Sequence, residues 1–265
     1  MPRETRSARA CATREQILAT AERLFAEHGV FAVSNRQVSE AAGQGNNAAV
    51  GYHFGTKADL VRAIVRRHAA GIERIRRAML ADARRAMLAD AAGSGEVRDW
   101  VACVVRPLTG HLESLGTPTW FARFGAQLMT DPALRDVMIE HALTSPTLVE
   151  VLGGLDRCLP GLPPEVRAER RQMTSHLMVH VCAERERALA EGLPTPRATW
   201  DGTASGLIDA ITALWAAPAT PQPVTPQPVT PQPVTPQPVT PQPTTRQPAT
   251  PQPATTPQHA KGSRA

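Results

Sequence analysis

The segment S-N-R-Q-V-S-E-A-A-G, residues 34–43, constrains the fold more than any other stretch. Ser34 followed three residues later by Gln37 is a capping box, in which each side chain satisfies an orphan amide at a helix start. Gly43 offers a left-handed stop. The helix between them is therefore short, from Ser34 to about Ala42, with Val38, Ala41 and Ala42 as its expected inward face. The run that follows, GQGNNAAVGYHFGTKADL, is almost devoid of core-forming side chains. Only Val50 and Phe54, spaced i and i+4, suit inward anchors. Two short helices around a tight glycine-containing turn satisfy both halves of this pattern.

The rest of the chain is patterned for helix. T-R-E-Q at residues 13–16 is a second capping box, and Ile17, Leu18, Ala21, Leu24 and Phe25 then mark one apolar face ending at Gly29. A fourth helix is expected from near Thr56 and Lys57, with Asp59 in its first turn. RRAMLAD occurs at residues 76–82 and again at 84–90, a slipped duplication that lengthens this helix or adds a connector. Further helices are expected over about 97–115, 119–130, 132–141, 145–157, 163–191 and 200–216, punctuated by Pro and Gly. From Pro218 the character changes. PQPVT repeats four times over residues 221–240 and then decays, a tract expected to form a disordered, polyproline-rich tail over 218–265.

Charge is unevenly placed. Residues 1–80 hold 13 Lys or Arg against 7 Asp or Glu, so the net +5 of the chain lies wholly in that segment. A polyanionic partner at the N-terminal end is the expectation, against the plainer alternative of a solvated basic surface. No apolar run approaches the length of a membrane span, and the N-terminus lacks a signal-peptide core, so the expected place is the cytoplasm, on the nucleoid. Four scattered cysteines with no C-x-x-C spacing read as free thiols.

Paired short helices at residues 34–42 and about 46–53 make a helix-turn-helix, whose second helix meets base edges in the major groove of double-stranded DNA. A helix that spends its outer face on DNA has no use for large apolar residues there. Asn46, Asn47, Ala49, Gly51 and His53 fall off the anchored face; Asn can pair with adenine and Ala can pack on a thymine methyl. Ser34, Asn35, Arg36, Tyr52 and Lys57 suit contacts to the backbone or its borders. A phosphate-cradling nucleotide loop is the rival, but the stretch lacks a G-K-[ST] ending and its G-x-G follows a helix instead of a strand.

The residues quoted so far also carry a specific resemblance. I-L-x-x-A-x-x-L-F-x-x-x-G in the first helix, S-N-R-Q-V-S-E-A-A-G in the second and H-F-x-x-K-x-x-L at the junction with the fourth resemble the DNA-binding domain of the TetR family of bacterial transcriptional regulators. The resemblance covers about residues 13–62. It implies an all-α protein: a disordered basic N-terminus over 1–12, a three-helix DNA-binding domain over 13–57, and a helical ligand-binding and dimerisation domain over 58–217 that pairs through its last two helices. It implies contacts from the helix near Asn46 and from Tyr52, and phosphate contacts from Ser34 and Lys57. It implies a homodimer on a palindromic operator, released by a small-molecule inducer, hence a repressor. An activator or a ligand-independent regulator of the same fold is the alternative. Two departures stand out: one extra residue in the turn around Gln44 and Gly45, and Gly51 where the family often has an aromatic residue.

Within residues 58–217, Trp100, Trp120, Phe121, Phe124, Met129, Met138, Met173 and His176 suit the wall of an apolar ligand cavity, although singly each is what any helical core would use. His176, His180 and Glu184 share a helix face at i, i+4 and i+8. Histidines so spaced can chelate a metal, but no second ligand pair accompanies them, so no metal and no cofactor is expected. The charge-dense runs RAERR and AERERAL read as solvated faces of long helices. No G-x-S-x-G or comparable signature is present, so a helical enzyme or carrier is the weaker alternative.

Overall fold

Nearly every helix end in the sequence pattern has a counterpart in the computed structural model, which describes residues 2–89 and 96–220. The order is α1 (Pro2–His28), α2 (Asn35–Ala41), α3 (Ala49–Phe54), α4 (Lys57–Ala89), α5 (Val97–Leu115), α6 (Phe121–Met129), α7 (Pro132–Leu143), α8 (Pro146–Cys158), α9 (Pro164–Ala190) and α10 (Trp200–Ala216). No strand occurs among the described residues. The expected tail lies outside them from residue 221 onward.

One start differs. α1 runs unbroken from Pro2 through Thr13, so residues 2–12 are helical and the T-R-E-Q box caps nothing. The segment upstream of Thr13 is rich in Arg and Ala, both good helix formers, and nothing in it stops a helix already begun. The second capping box does form: the Gln37 amide donates to Ser34 Oγ at 3.2 Å, and the Ser34 amide donates to Gln37 Oε1 at 2.8 Å. The duplicated RRAMLAD extends α4 to Ala89.

A single apolar core runs through the described helices. α6 packs on α1 and α9, and α5 packs on α4, α8 and α10. Phe25 of α1 and Phe124 of α6, both fully buried, stack with ring centroids 6.3 Å apart. Trp100 of α5 fills the space that a side chain at Gly154 of α8 would need; a Cβ there would come within 2.4 Å of the indole.

The charge-dense runs of α9 are solvated only in part: Glu169, Arg171, Glu184 and Arg187 are exposed, as expected of a solvated face, but three charges turn inward. Arg170, Arg185 and Glu186 are all buried. Arg170 donates to the carbonyls of Trp215 and Ala217, each at 2.6 Å, closing the C-terminus of α10. Glu186 accepts from the amides of Ala122 at 3.1 Å and Arg123 at 2.9 Å, closing the N-terminus of α6. Each charge sits at the helix end whose dipole favours it. Burial nevertheless pushes the Glu186 carboxyl above its ordinary pKa, against the two amides and the Arg123 guanidinium.

Pro107 inside α5 creates a similar need. Its ring nitrogen cannot donate to the carbonyl of Cys103 one turn back. Arg76 of α4, itself buried, supplies the missing donor through Nε at 3.3 Å.

Candidate nucleic-acid interface and ligand cavity

The turn between α2 and α3 is held by one buried hydroxyl. Ser39 Oγ, sealed from solvent, faces the carbonyls of Asn35 at 3.1 Å and Asn47 at 3.2 Å, and the Val50 amide points at it from 3.4 Å. Ser39 thus takes the inward place expected for Ala41, which is exposed. Gly43, at φ 66°, turns the chain, and its amide donates to Glu40 O. The extra residue expected in this turn is absorbed before the helix. Asn46 Oδ1 accepts from the Ala48 amide at 2.9 Å in an Asx turn, so α3 begins at Ala49, three residues later than Asn46.

Helix α3 is short and its faces are distinct. Val50 is fully buried and Ala49 nearly so, which places Ala49 in the core instead of the expected outward face. Ala48, Gly51 and Tyr52 point outward at i, i+3 and i+4, with Asn46 and Asn47 exposed at the N-terminal end. Tyr52 is 84% exposed. A Cβ added at Gly51 would meet nothing within 4 Å. Ser34 and Arg36 are exposed at the start of α2, with Arg36 Nε on Glu40 at 2.7 Å, while Asn35 is half-buried.

Two cations expected, or overlooked, at the surface hold this unit together from behind. Lys57 Nζ donates to the carbonyls of Val30 at 3.0 Å and Val33 at 2.7 Å, clamping the α1–α2 loop. Burial lowers the Lys57 pKa. Two of its three protons are therefore committed within the fold. Arg14 was not legible as part of the unit. Its Nη1 donates to the carbonyl of half-buried His53 at 2.7 Å, and its guanidinium lies 4.1 Å from the centroid of the Phe54 ring. These bonds join the end of α3 to α1. Gly55, at φ 83°, then ends α3, and Thr56 and Asp59 close the start of α4 reciprocally.

A cavity of about 570 Å³ lies among helices α4 to α10. Phe121, Met129, Met138 and His176 line it, as expected. Trp100, Trp120, Phe124 and Met173 do not. Trp100 packs on Gly154, Trp120 covers the core from the N-cap of α6, Phe124 stacks on Phe25, and Met173 is exposed. Arg76, Arg135, Cys182 and Trp215 were missed as lining residues. Burial pushes the Cys182 thiol up to about 12, which keeps it protonated. The His176–His180–Glu184 face is divided: His176 lines the cavity, His180 is exposed, and Glu184 pairs with Arg187 at 3.0 Å.

A buried polar chain connects the cavity wall to α1. Glu22 of α1 faces His68 Nε2 of α4 at 2.8 Å, and His68 Nδ1 faces His111 Nε2 of α5 at 2.9 Å. The Glu22 carboxylate accepts from His68 Nε2–H, and one proton lies between His68 Nδ1 and His111 Nε2. Phe121, a lining residue, stacks on His68 with centroids 3.9 Å apart. Gly71 makes room for His111, since a Cβ there would lie 2.6 Å from its Nδ1. Burial first, and then His68, lower the His111 pKa to about 4.

The comparisons with known proteins divide along the same chain. Residues 17–64 match the model of bacterial regulatory proteins of the tetR family, and residues 102–213 match the tetracyclin repressor-like C-terminal domain. The chain is 33% identical over 138 residues to the HTH-type transcriptional repressor AcnR of Corynebacterium glutamicum, covering 49% of this chain and 57% of that protein. It is 37% identical over 79 residues to AcnR of Corynebacterium efficiens, covering 26% and 42% respectively. The matched part is thus about half the length of these curated relatives. Among solved structures, the TetR family transcriptional regulator PfmR from Thermus thermophilus matches with a TM-score of 0.43 and 17% identity, over 78% of this chain and 98% of that one. With both domain models of one family matched in order over the helices just described, the chain belongs to the TetR family of bacterial regulators.

Proposed function

We propose that the protein is a homodimeric transcriptional repressor that binds a palindromic operator through α2 and α3 and is released by a small molecule in its cavity. The observation that carries this is the outer face of α3. Ala48, Gly51 and Tyr52, with Asn46 and Asn47 at the N-terminal end, form a low-relief polar surface on a helix anchored by Val50. Such a surface can lie close to base edges, while Ser34, Arg36 and the third proton of Lys57 suit the flanking phosphates. The curated relatives are named repressors, which favours repression over activation.

Pairing has its own support. Met173, Leu177 and Val181 are exposed at i, i+4 and i+8 on α9, an apolar stripe that a second copy would cover. We divide the protein at Lys57: the helices before it bind DNA, and residues 58–217 hold the cavity and the pairing surface. The cytoplasm is the place where such a partner is met; no described helix is long and apolar enough to cross a membrane.

The test is selection of bound duplexes from a random DNA pool, followed by a salt titration of the recovered site. A palindromic consensus, with affinity falling by orders of magnitude between about 50 and 200 mM salt, is the expected result. Recovery of no consensus from the full chain would overturn the reading.

A further inference from the structure

The charged residues of the cavity are all of one sign. Arg76, Arg135 and Arg171 line it, and no Asp or Glu does so among the described residues. Most of the remaining wall is aliphatic, aromatic or thioether, including Val104, Leu108, Leu155, Phe121, Met138 and Trp215. Three cations in an otherwise apolar chamber are costly unless each has a partner.

Two of them have one. Arg76 serves Cys103 O and lies 3.6 Å from Glu73, and Arg171 bonds Asp156 at 2.5 Å. Arg135 differs. It stands half-buried on α7, its Nε is shielded from solvent without a hydrogen-bond partner, and no carboxylate among the described residues lies within ion-pair distance of it. A guanidinium presents a planar fork of donors matched to a carboxylate.

We propose that the cavity binds an apolar carboxylic acid, with its hydrocarbon body along the α5 and α9 walls and its carboxylate on Arg135. The body matches the aliphatic lining, and the head group supplies the charge that Arg135 lacks. An alcohol of the same length would leave the guanidinium without an anion, and an amine would add a like charge. The consequence for DNA rests on the repressor reading above, but the binding itself does not.

The probes are octanoate, dodecanoate and 4-phenylbutyrate, with 1-octanol, 1-dodecanol and dodecylamine as matched controls, measured by calorimetry on the full chain. At least one carboxylate should bind about tenfold or more tightly than its matched alcohol, and dodecylamine should bind more weakly still. Arg135→Met keeps the apolar stem and removes the fork; it should erase the preference for carboxylate while leaving alcohol binding and operator binding as in the parent. A parent that binds acid and alcohol equally, or that binds none of these probes, overturns the proposal. So does an Arg135→Met variant that retains the preference. A gel shift on the selected operator separates the two ideas: acid preference without operator binding sinks the repressor reading alone, and operator binding without acid preference sinks this one alone.

Discussion

Local caps close helix starts in both halves of the molecule, but the half around the cavity adds closures from far along the chain. At the N-terminal end the local bonds span three residues or fewer: Ser34 with Gln37 at α2, Asn46 with Ala48 in the turn before α3 and Thr56 with Asp59 at α4. Arg14 reaches the end of α3 from 39 residues away. Around the cavity, α9 reaches across the chain. Arg170 closes α10 from 45 residues away and Glu186 closes α6 from 64. A local cap closes the start of α2 without help from a distant element. Long-range clamps make α9 a shared support, so α6 and α10 depend on its position.

The contrast predicts unequal costs. Glu186→Ala should be the most damaging substitution, leaving two α6 amides without a partner and Arg123 without its carboxylate, at a cost of about 3 kcal/mol or more in urea unfolding. A cost below about 1 kcal/mol would show that α6 does not lean on α9. Acid should be the next lever. The folded-state His111 pKa is lowered to about 4 from the ordinary 6.5. Above the higher value the ring is neutral in both states and the full stability is present. As pH falls from 6.5 towards 4 the unfolded chain takes up the proton first, and stability drops by up to a few kcal/mol. Glu22, His68, Arg67 and Arg74 bear on the same site, so the check is the difference between parent and His111→Gln, whose loss over that pH range should be smaller.

Local caps should matter less. Ser34→Ala is expected to cost about 1 kcal/mol, confined to α2, with ligand binding unchanged. Equal damage from Ser34→Ala and Glu186→Ala would dissolve the contrast. Gly51→Ala should be the mildest for folding, because the space beside it is open and alanine favours helix by up to about 1 kcal/mol. Its operator affinity should nevertheless fall, because the added methyl stands on the outer face of α3 that we propose meets DNA. Unchanged affinity in a gel-shift titration would remove Gly51 from the interface.

The same division decides what the sequence could disclose. Ser34 with Gln37, the glycine stops and the prolines that open α7, α8 and α9 are neighbours in sequence, so their physics is visible there. Bulk on a helix face did not separate cavity wall from core: Phe121, Met129, Met138 and His176 line the cavity, whereas Trp100, Trp120, Phe124 and Met173, chosen on the same ground, do not. Arg170, Arg185 and Glu186 were not legible as buried, since a charge-dense run looks solvated until its distant partners are in place. Thr13 misled for a related reason: a capping box marks a possible start, but a helix already running through it has no need of one. Ala49 and Ser39 depended on a phase set by the longer turn.

Helix α4 begins at the lysine that clamps the α1–α2 loop, supplies Arg76 and Ile72 to the cavity and continues to Ala89 without a break. The stretch from Lys57 to Arg76 spans about 28 Å at 1.5 Å per residue. Tilted as a rod by about 5° at the cavity, it would carry its far end through about 2.5 Å. In the dimeric repressor proposed above, paired half-sites on a duplex would not stretch to follow two such ends. A ligand would then need only to favour one angle of α4, with leverage supplying the rest.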